Sequence, residues 1–149
     1  MTKDVIISVK GNHLMDDATG EPVEIITPGT YYKKEDAHYV FYEEIVEGVS
    51  ATIKNRIVIK DERVELNKTG GITVKMCFDR LSIEEAPYKT PYGVFPLKIE
   101  TSSVDLNESE DVITCKVKYV IYLDESKLSD SEISISIESK GQATITDSF

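Results

Sequence analysis

The sequence predicts an all-β fold, a closed or nearly closed antiparallel meander barrel of about eight to ten strands, and three observations carry that prediction. Apolar residues alternate with polar ones at a period of two along most of the 149-residue chain. Half-buried strands require that alternation, because successive side chains point to opposite faces. Clusters of turn-forming residues separate the alternating runs at short intervals, and a helical period is nearly absent.

Taken in order, Val5, Ile7 and Val9 alternate with Ile6, Ser8 and Lys10. A turn at Asp16-Asp17-Ala18-Thr19-Gly20 follows, then a second at Thr27-Pro28-Gly29 and a third at Lys34-Glu35-Asp36. Between and after these stand Tyr31-Tyr32 and the segment Tyr39-Val40-Phe41-Tyr42-Glu43-Glu44, closed by Glu47-Gly48. Ala51, Ile53, Asn55, Ile57 and Ile59 then alternate with Thr52, Lys54, Arg56, Val58 and Lys60, up to the turn Lys60-Asp61-Glu62. After Thr69-Gly70-Gly71, the set Ile72, Val74, Met76 and Phe78 shares one face against Thr73, Lys75 and Cys77.

Past Asn107-Glu108-Ser109-Glu110-Asp111, a long run sets Ile113, Cys115, Val117, Tyr119, Ile121 and Leu123 on one face. Asp124 to Leu128 reads as a single helical turn. Ser129-Asp130-Ser131-Glu132 has the spacing of a capping box, but Ile133, Ile135 and Ile137 alternate with serines and restore the strand period. The tail from Gly141 onward is expected to fray. Short connections make neighbours in sequence pair as hairpins, which favours an up-and-down barrel over a sandwich. At about eight strands such a barrel is either filled by its own side chains or holds one small ligand.

Length and composition bound the rest. The chain fits one domain, residues 1–149, and 40% hydrophobic against 30% charged residues is a globular balance rather than a disordered one. No apolar run approaches the roughly 20 residues that span a bilayer, and the N-terminal segment shows no secretory pattern. A net charge of −10 argues against a general nucleic-acid binder. Cys77 and Cys115 take opposite parities, so one thiol is expected outside and the other inside. A disulfide between them would have to cross the sheet. Two free thiols in a cytoplasmic protein are the expectation.

No set of residues completes a catalytic or metal signature. Glu43-Glu44 and Glu84-Glu85 are adjacent on strands and face opposite ways, so neither doublet brackets one substrate. His13 and His38 lack partners at metal-binding spacing, and no cofactor is expected. Lys68-Thr69-Gly70-Gly71 lacks the glycine-rich approach of a phosphate loop. The basic residues Lys54, Arg56, Lys60, Lys75, Lys116 and Lys118 all take the outer parity of their strands. They solvate an outer wall.

The aromatic residues are more suggestive. Tyr31-Tyr32, Tyr39 to Glu44, Met76-Cys77-Phe78 and Thr90-Pro91-Tyr92-Gly93, in that order, resemble the YwiB-like family of small bacterial proteins. That resemblance implies a calycin-like β-barrel, lipocalin-like in shape, and it implies no activity, because none is established for the family. The chain has no Trp, so the Gly-x-Trp signature of lipocalins is missing. The leading expectation is a non-catalytic barrel for a small apolar or anionic ligand, or a peptide. Its candidate ligand-binding residues are Tyr32, Tyr42, Glu44, Arg56, Met76, Phe78 and Tyr92, with Thr90-Pro91-Tyr92-Gly93 as a rigid turn shaping the mouth. The alternative is an interaction module, in its simplest form a self-associating homo-oligomer. An enzyme with a Tyr, Glu and Arg site at the mouth ranks third.

Overall fold

Ten strands follow one another in the computed structural model, which describes residues 1–11, 23–45, 52–70 and 72–140, with the side chains of Val23, Ile72 and Thr90 also outside the description. They are β1 (Asp4–Gly11), β2 (Val23–Lys34), β3 (Ala37–Ile45), β4 (Thr52–Lys60) and β5 (Arg63–Gly70), then β6 (Ile72–Asp79), β7 (Ile83–Thr90), β8 (Gly93–Glu108), β9 (Val112–Leu123) and β10 (Ser126–Ser139). Each pairs antiparallel with its sequence neighbours, and β1 pairs with β10 to close the barrel. The closing ladder runs from Val5 opposite Ser139 to Gly11 opposite Ile133. The expected turn at Asp16 to Gly20, Glu47-Gly48, His13 and the tail from Gly141 lie outside the described residues. No helix among the described residues is long and apolar enough to cross a membrane.

Turn chemistry sets the hairpins. Glu35 and Asp36 both take positive φ, 53° and 65°, between β2 and β3. Two positive-φ residues make the mirror-image turn that matches the right-handed twist of paired strands. Pro91 and Tyr92 turn the chain between β7 and β8, and Gly93 follows with φ of 137°, a value that suits only glycine. Two expectations fail. Asp124 to Leu128 is not helical: Asp124, with φ of 58°, and Glu125 make a tight turn, and Ser126 already pairs with Leu123. Thr27-Pro28-Gly29 is not a turn but the middle of β2. There the ladder to β1, with Thr27 opposite Ile7 and Gly29 opposite Val5, holds the chain extended. Pro28 has no amide hydrogen to give, and the ladder from β2 to β3 begins only at Thr30.

The inward parity fills the axis. Val74, Met76, Phe78, Ile113, Val117 and Tyr119 belong to one buried cluster with Ile7, Ile57, Leu66 and Ile137. Phe78 packs on Tyr119 at 4.7 Å between ring centroids. Lys54, Arg56, Lys60, Lys75, Lys116 and Lys118 are exposed on the outer wall, as their parity requires. Both cysteines are free. Cys115 lies in the core, but Cys77 is 4% exposed despite its outward parity, which corrects the expectation of an open thiol. Arg63, Glu65 and Glu84 surround it, and burial pushes its thiol up to about 12.

The ladder is not uniform. Among the described residues, β6 and β7 share one register pair, Thr73 opposite Lys89. Pro87, which cannot donate to a ladder, stands on β7 beside that seam, opposite Pro96 of β8.

Candidate functional site

The ladder between β2 and β3 spans Thr30 opposite Phe41 to Lys34 opposite Ala37. Beyond Phe41 the strands part, because β2 turns to follow β1 while β3 continues along β4 as far as Ile45. The gap is a cleft of about 550 Å³, lined among others by Thr27, Gly29, Phe41, Tyr42, Ile45 and Asn55. Gly29 is required at its edge. A Cβ there would lie 2.6 Å from the Phe41 carbonyl oxygen and would collide with Ile7 Cδ1.

Tyr42 and Asn55 face each other directly across the ladder from β3 to β4. Both belong to the inner parity, 4% and 2% exposed. The Tyr42 hydroxyl and the Asn55 side-chain oxygen have no hydrogen-bond partner among the described residues. Buried polar atoms are nearly always paired, so two such atoms in one cleft wall are a departure that calls for a cause.

Their neighbours are fully engaged. Glu44 accepts from Asn55 Nδ2 at 2.9 Å and from Lys68 Nζ at 2.8 Å. Lys68, opposite Asn55 on β5, is 7% exposed. An ionised carboxylate only accepts, so Glu44 fixes which end of the Asn55 amide faces it and leaves the oxygen open. Burial, and then the charge of Glu44, raise the Tyr42 hydroxyl above the ordinary phenol range, so it keeps its proton. Glu44 and Lys68 neutralise each other. The arrangement is a polar patch of zero net charge set in an apolar wall.

A second buried polar group stands between β2, β3 and β8. The Tyr31 hydroxyl shares a hydrogen bond of 2.7 Å with His38 Nδ1, and His38 Nε2 is bonded to the Glu108 carboxylate, linking β2, β3 and β8. Burial, and then Glu108, raise the Tyr31 hydroxyl as well. Each polar side-chain group of His38 is thereby used within the fold.

The sequence candidates divide. The structure brings Tyr42 and Glu44 near each other, with Tyr42 lining the cleft and Glu44 bonded to Asn55 and Lys68. Met76 and Phe78 are core side chains packed among other core side chains, away from the residues that line the cleft. Tyr32 lies on the outer face against Phe41, ring centroids 6.0 Å apart, under the Lys3 ammonium. Arg56 is opposite Phe41 on that same outer face. Tyr92 is 95% exposed at the tip between β7 and β8 and is not part of the cleft lining. Sequence reasoning passed over Asn55 and Lys68. Both had a signal: Asn55 interrupts the inward set Ile53, Ile57 and Ile59, and Lys68 takes the inward parity of Val64 and Leu66.

Comparisons with known proteins agree with this architecture. The chain is similar to the uncharacterized beta-barrel protein YwiB of Bacillus subtilis (strain 168), 29% identical over 101 residues, 66% of this chain and 70% of that protein. The crystal structure of the ywiB protein from Bacillus subtilis superposes with a TM-score of 0.75 at 22% identity, covering 92% of both chains. A family model described as a domain of unknown function, DUF1934, matches residues 7–135. With most of its barrel inside that match, the chain belongs to the DUF1934 family, a YwiB-like family of β-barrel proteins whose function is unknown.

Proposed function

We propose that this protein is a non-catalytic binding barrel that takes a small ligand through its wall, in the cleft between β2 and β3. One observation carries the reading: the cleft is lined by two residues whose buried polar atoms lack partners, Tyr42 and Asn55. Leaving such an atom unsatisfied costs about 1–3 kcal/mol, and a ligand that pairs with both atoms recovers that cost. The volume of about 550 Å³ falls in the range of small-molecule sites. This is a side-entry form of the ligand-holding role that a calycin-like barrel suggests. The filled axis disfavours an apolar ligand along the centre. Two free buried thiols suit a reducing, cytoplasmic setting.

A fragment library screened by amide chemical shifts on ¹⁵N-labelled protein tests the assignment. Hits are expected to converge on Thr27, Gly29, Tyr42 and Asn55. Hits scattered over the outer wall, with none at those residues, would overturn it.

A further inference from the structure

We infer that this protein pairs with a second copy of itself, tip to base, through the hairpin arm made by the end of β7 and the start of β8. The register shows the arm running past its neighbour. β9 meets β8 only as far as Leu123 opposite Leu97, then turns back at Asp124 and Glu125 so that Ser126 pairs with Leu123. Gly93 to Pro96 therefore have β7 on one edge and no strand on the other among the described residues. All four are exposed.

The arm is apolar where a solvated tip is normally polar. Tyr92 is 95% exposed, Val94 60% and Phe95 44%, with Pro87 and Pro96 exposed beside them. A two-stranded ribbon is marginal in water unless another surface covers it, and clustered exposed apolar groups mark a contact surface. Pro87 and Pro96 lie opposite each other and withhold their amide hydrogens, so contact runs through side chains rather than through an added strand.

Charge identifies the occupant. From Ala86 to Ile99 the chain carries Lys89 and Lys98 and no acid, although its net charge is −10. Asp124 and Glu125 stand exposed at the base of the arm, with Leu128, also exposed, just beyond them on β10. Among the described residues Lys89, Asp124 and Glu125 take part in no ion pair. A twofold axis brings two arms together either tip to tip or tip to base. Tip to tip sets Lys89 against its own copy, like charge on like. Tip to base sets Lys89 beside the acidic turn of the other copy and lays Tyr92 and Val94 over its Leu128, and the axis makes that contact twice. A bilayer is a poorer match, because the acidic turn and the net charge of −10 oppose the anionic headgroups that Lys89 attracts.

The arm and its base supply about a dozen residues a side, against the roughly 20–30 of a standard interface, so the pairing is weak. Sedimentation equilibrium from about 10 µM to about 1 mM is expected to show the mass rising from one chain toward two. Lys89→Glu is expected to weaken association roughly tenfold or more, and Lys89→Glu combined with Glu125→Lys to restore it. Val94→Asp is expected to abolish it. These side chains are exposed, so urea midpoints stay at the parent's value and report an intact fold. A parent that is monomeric throughout, or a dimer indifferent to Lys89→Glu and Val94→Asp, overturns the inference. A double variant as weak as Lys89→Glu alone overturns the tip-to-base arrangement. A monomer that co-sediments with phosphatidylglycerol vesicles, and loses that binding in Val94→Asp, overturns it in favour of a bilayer.

Discussion

Tyr42 holds its hydroxyl unpaired inside a wall that otherwise packs hydrocarbon. Removing that oxygen therefore relieves the folded state rather than damaging it. Tyr42→Phe is expected to raise stability by about 1 kcal/mol, about 2–4 °C in Tm for a chain of this size, measured by thermal or urea unfolding. A loss of stability would mean that the hydroxyl has a partner in solution. The sequence made Tyr42 and Glu44 legible because they share the inward parity of an aromatic strand. It could not separate Met76 and Phe78 from them, since parity says which side chains face inward and not which stretch of the interior is filled. Asn55 and Lys68 were legible as interruptions of apolar sets. Their importance depends on β3, β4 and β5 lying in register, which no single strand reveals.

Strands were the most legible elements, because each writes its own period into a few residues. β2 is the instructive exception. Its Thr27-Pro28-Gly29 has the chemistry of a turn, yet the ladder to β1 overrides that preference, and the same three residues become the lip of the cleft. Gly29→Ala is expected to cost about 1–3 kcal/mol, because the added methyl must displace Ile7 or the Phe41 carbonyl, and to shift the amide signals of Phe41 and Tyr42. Unchanged urea midpoints and spectra would contradict so tight a contact.

The start of β5 and the end of β6 supply a pH response. Asp79 is held below the usual carboxylate range first by the Leu81 amide and then by Arg63, whose guanidinium lies 2.8 Å away. Glu84 is lowered first by the Ser82 hydroxyl at 2.7 Å. Carboxyls depressed in the folded state stabilise it above their unfolded values of about 4, and that contribution disappears as pH falls through the folded values. Stability measured by urea unfolding is therefore expected to decline with acid below about pH 4. Arg63→Gln should be less stable near neutrality and show a shallower acid decline. An unchanged slope would remove Arg63 from the linkage.

At the scale of the molecule, antiparallel hairpins in sequence order made a meander inevitable, and closure was the open choice. The structure closes it by pairing the first strand with the last, Val5 with Ser139, so the ring depends on a contact between distant parts of the chain. Contacts of such long range slow folding, since the connecting loop must be ordered before they form. Whether the interior would be hollow was not written in any one strand. It follows from the summed volumes of Ile7, Ile57, Phe78, Tyr119 and their neighbours meeting at the axis.

The seam at β6 and β7 makes the ring unequal around its circumference. Among the described residues one register pair joins these strands, against a ladder from Leu97 to Glu108 where β8 meets β9. Under native conditions, amides from Val74 to Phe78 and from Glu84 to Tyr88 are expected to exchange with deuterium sooner than those of β9, and uniform protection would contradict this. The barrel then behaves as a rolled sheet with a fastening line. Opening there ahead of global melting is the expected outcome, and it would leave Pro87 and the charges of Glu84, Glu85 and Lys89 on one freed border, residues that discourage another chain from pairing with it.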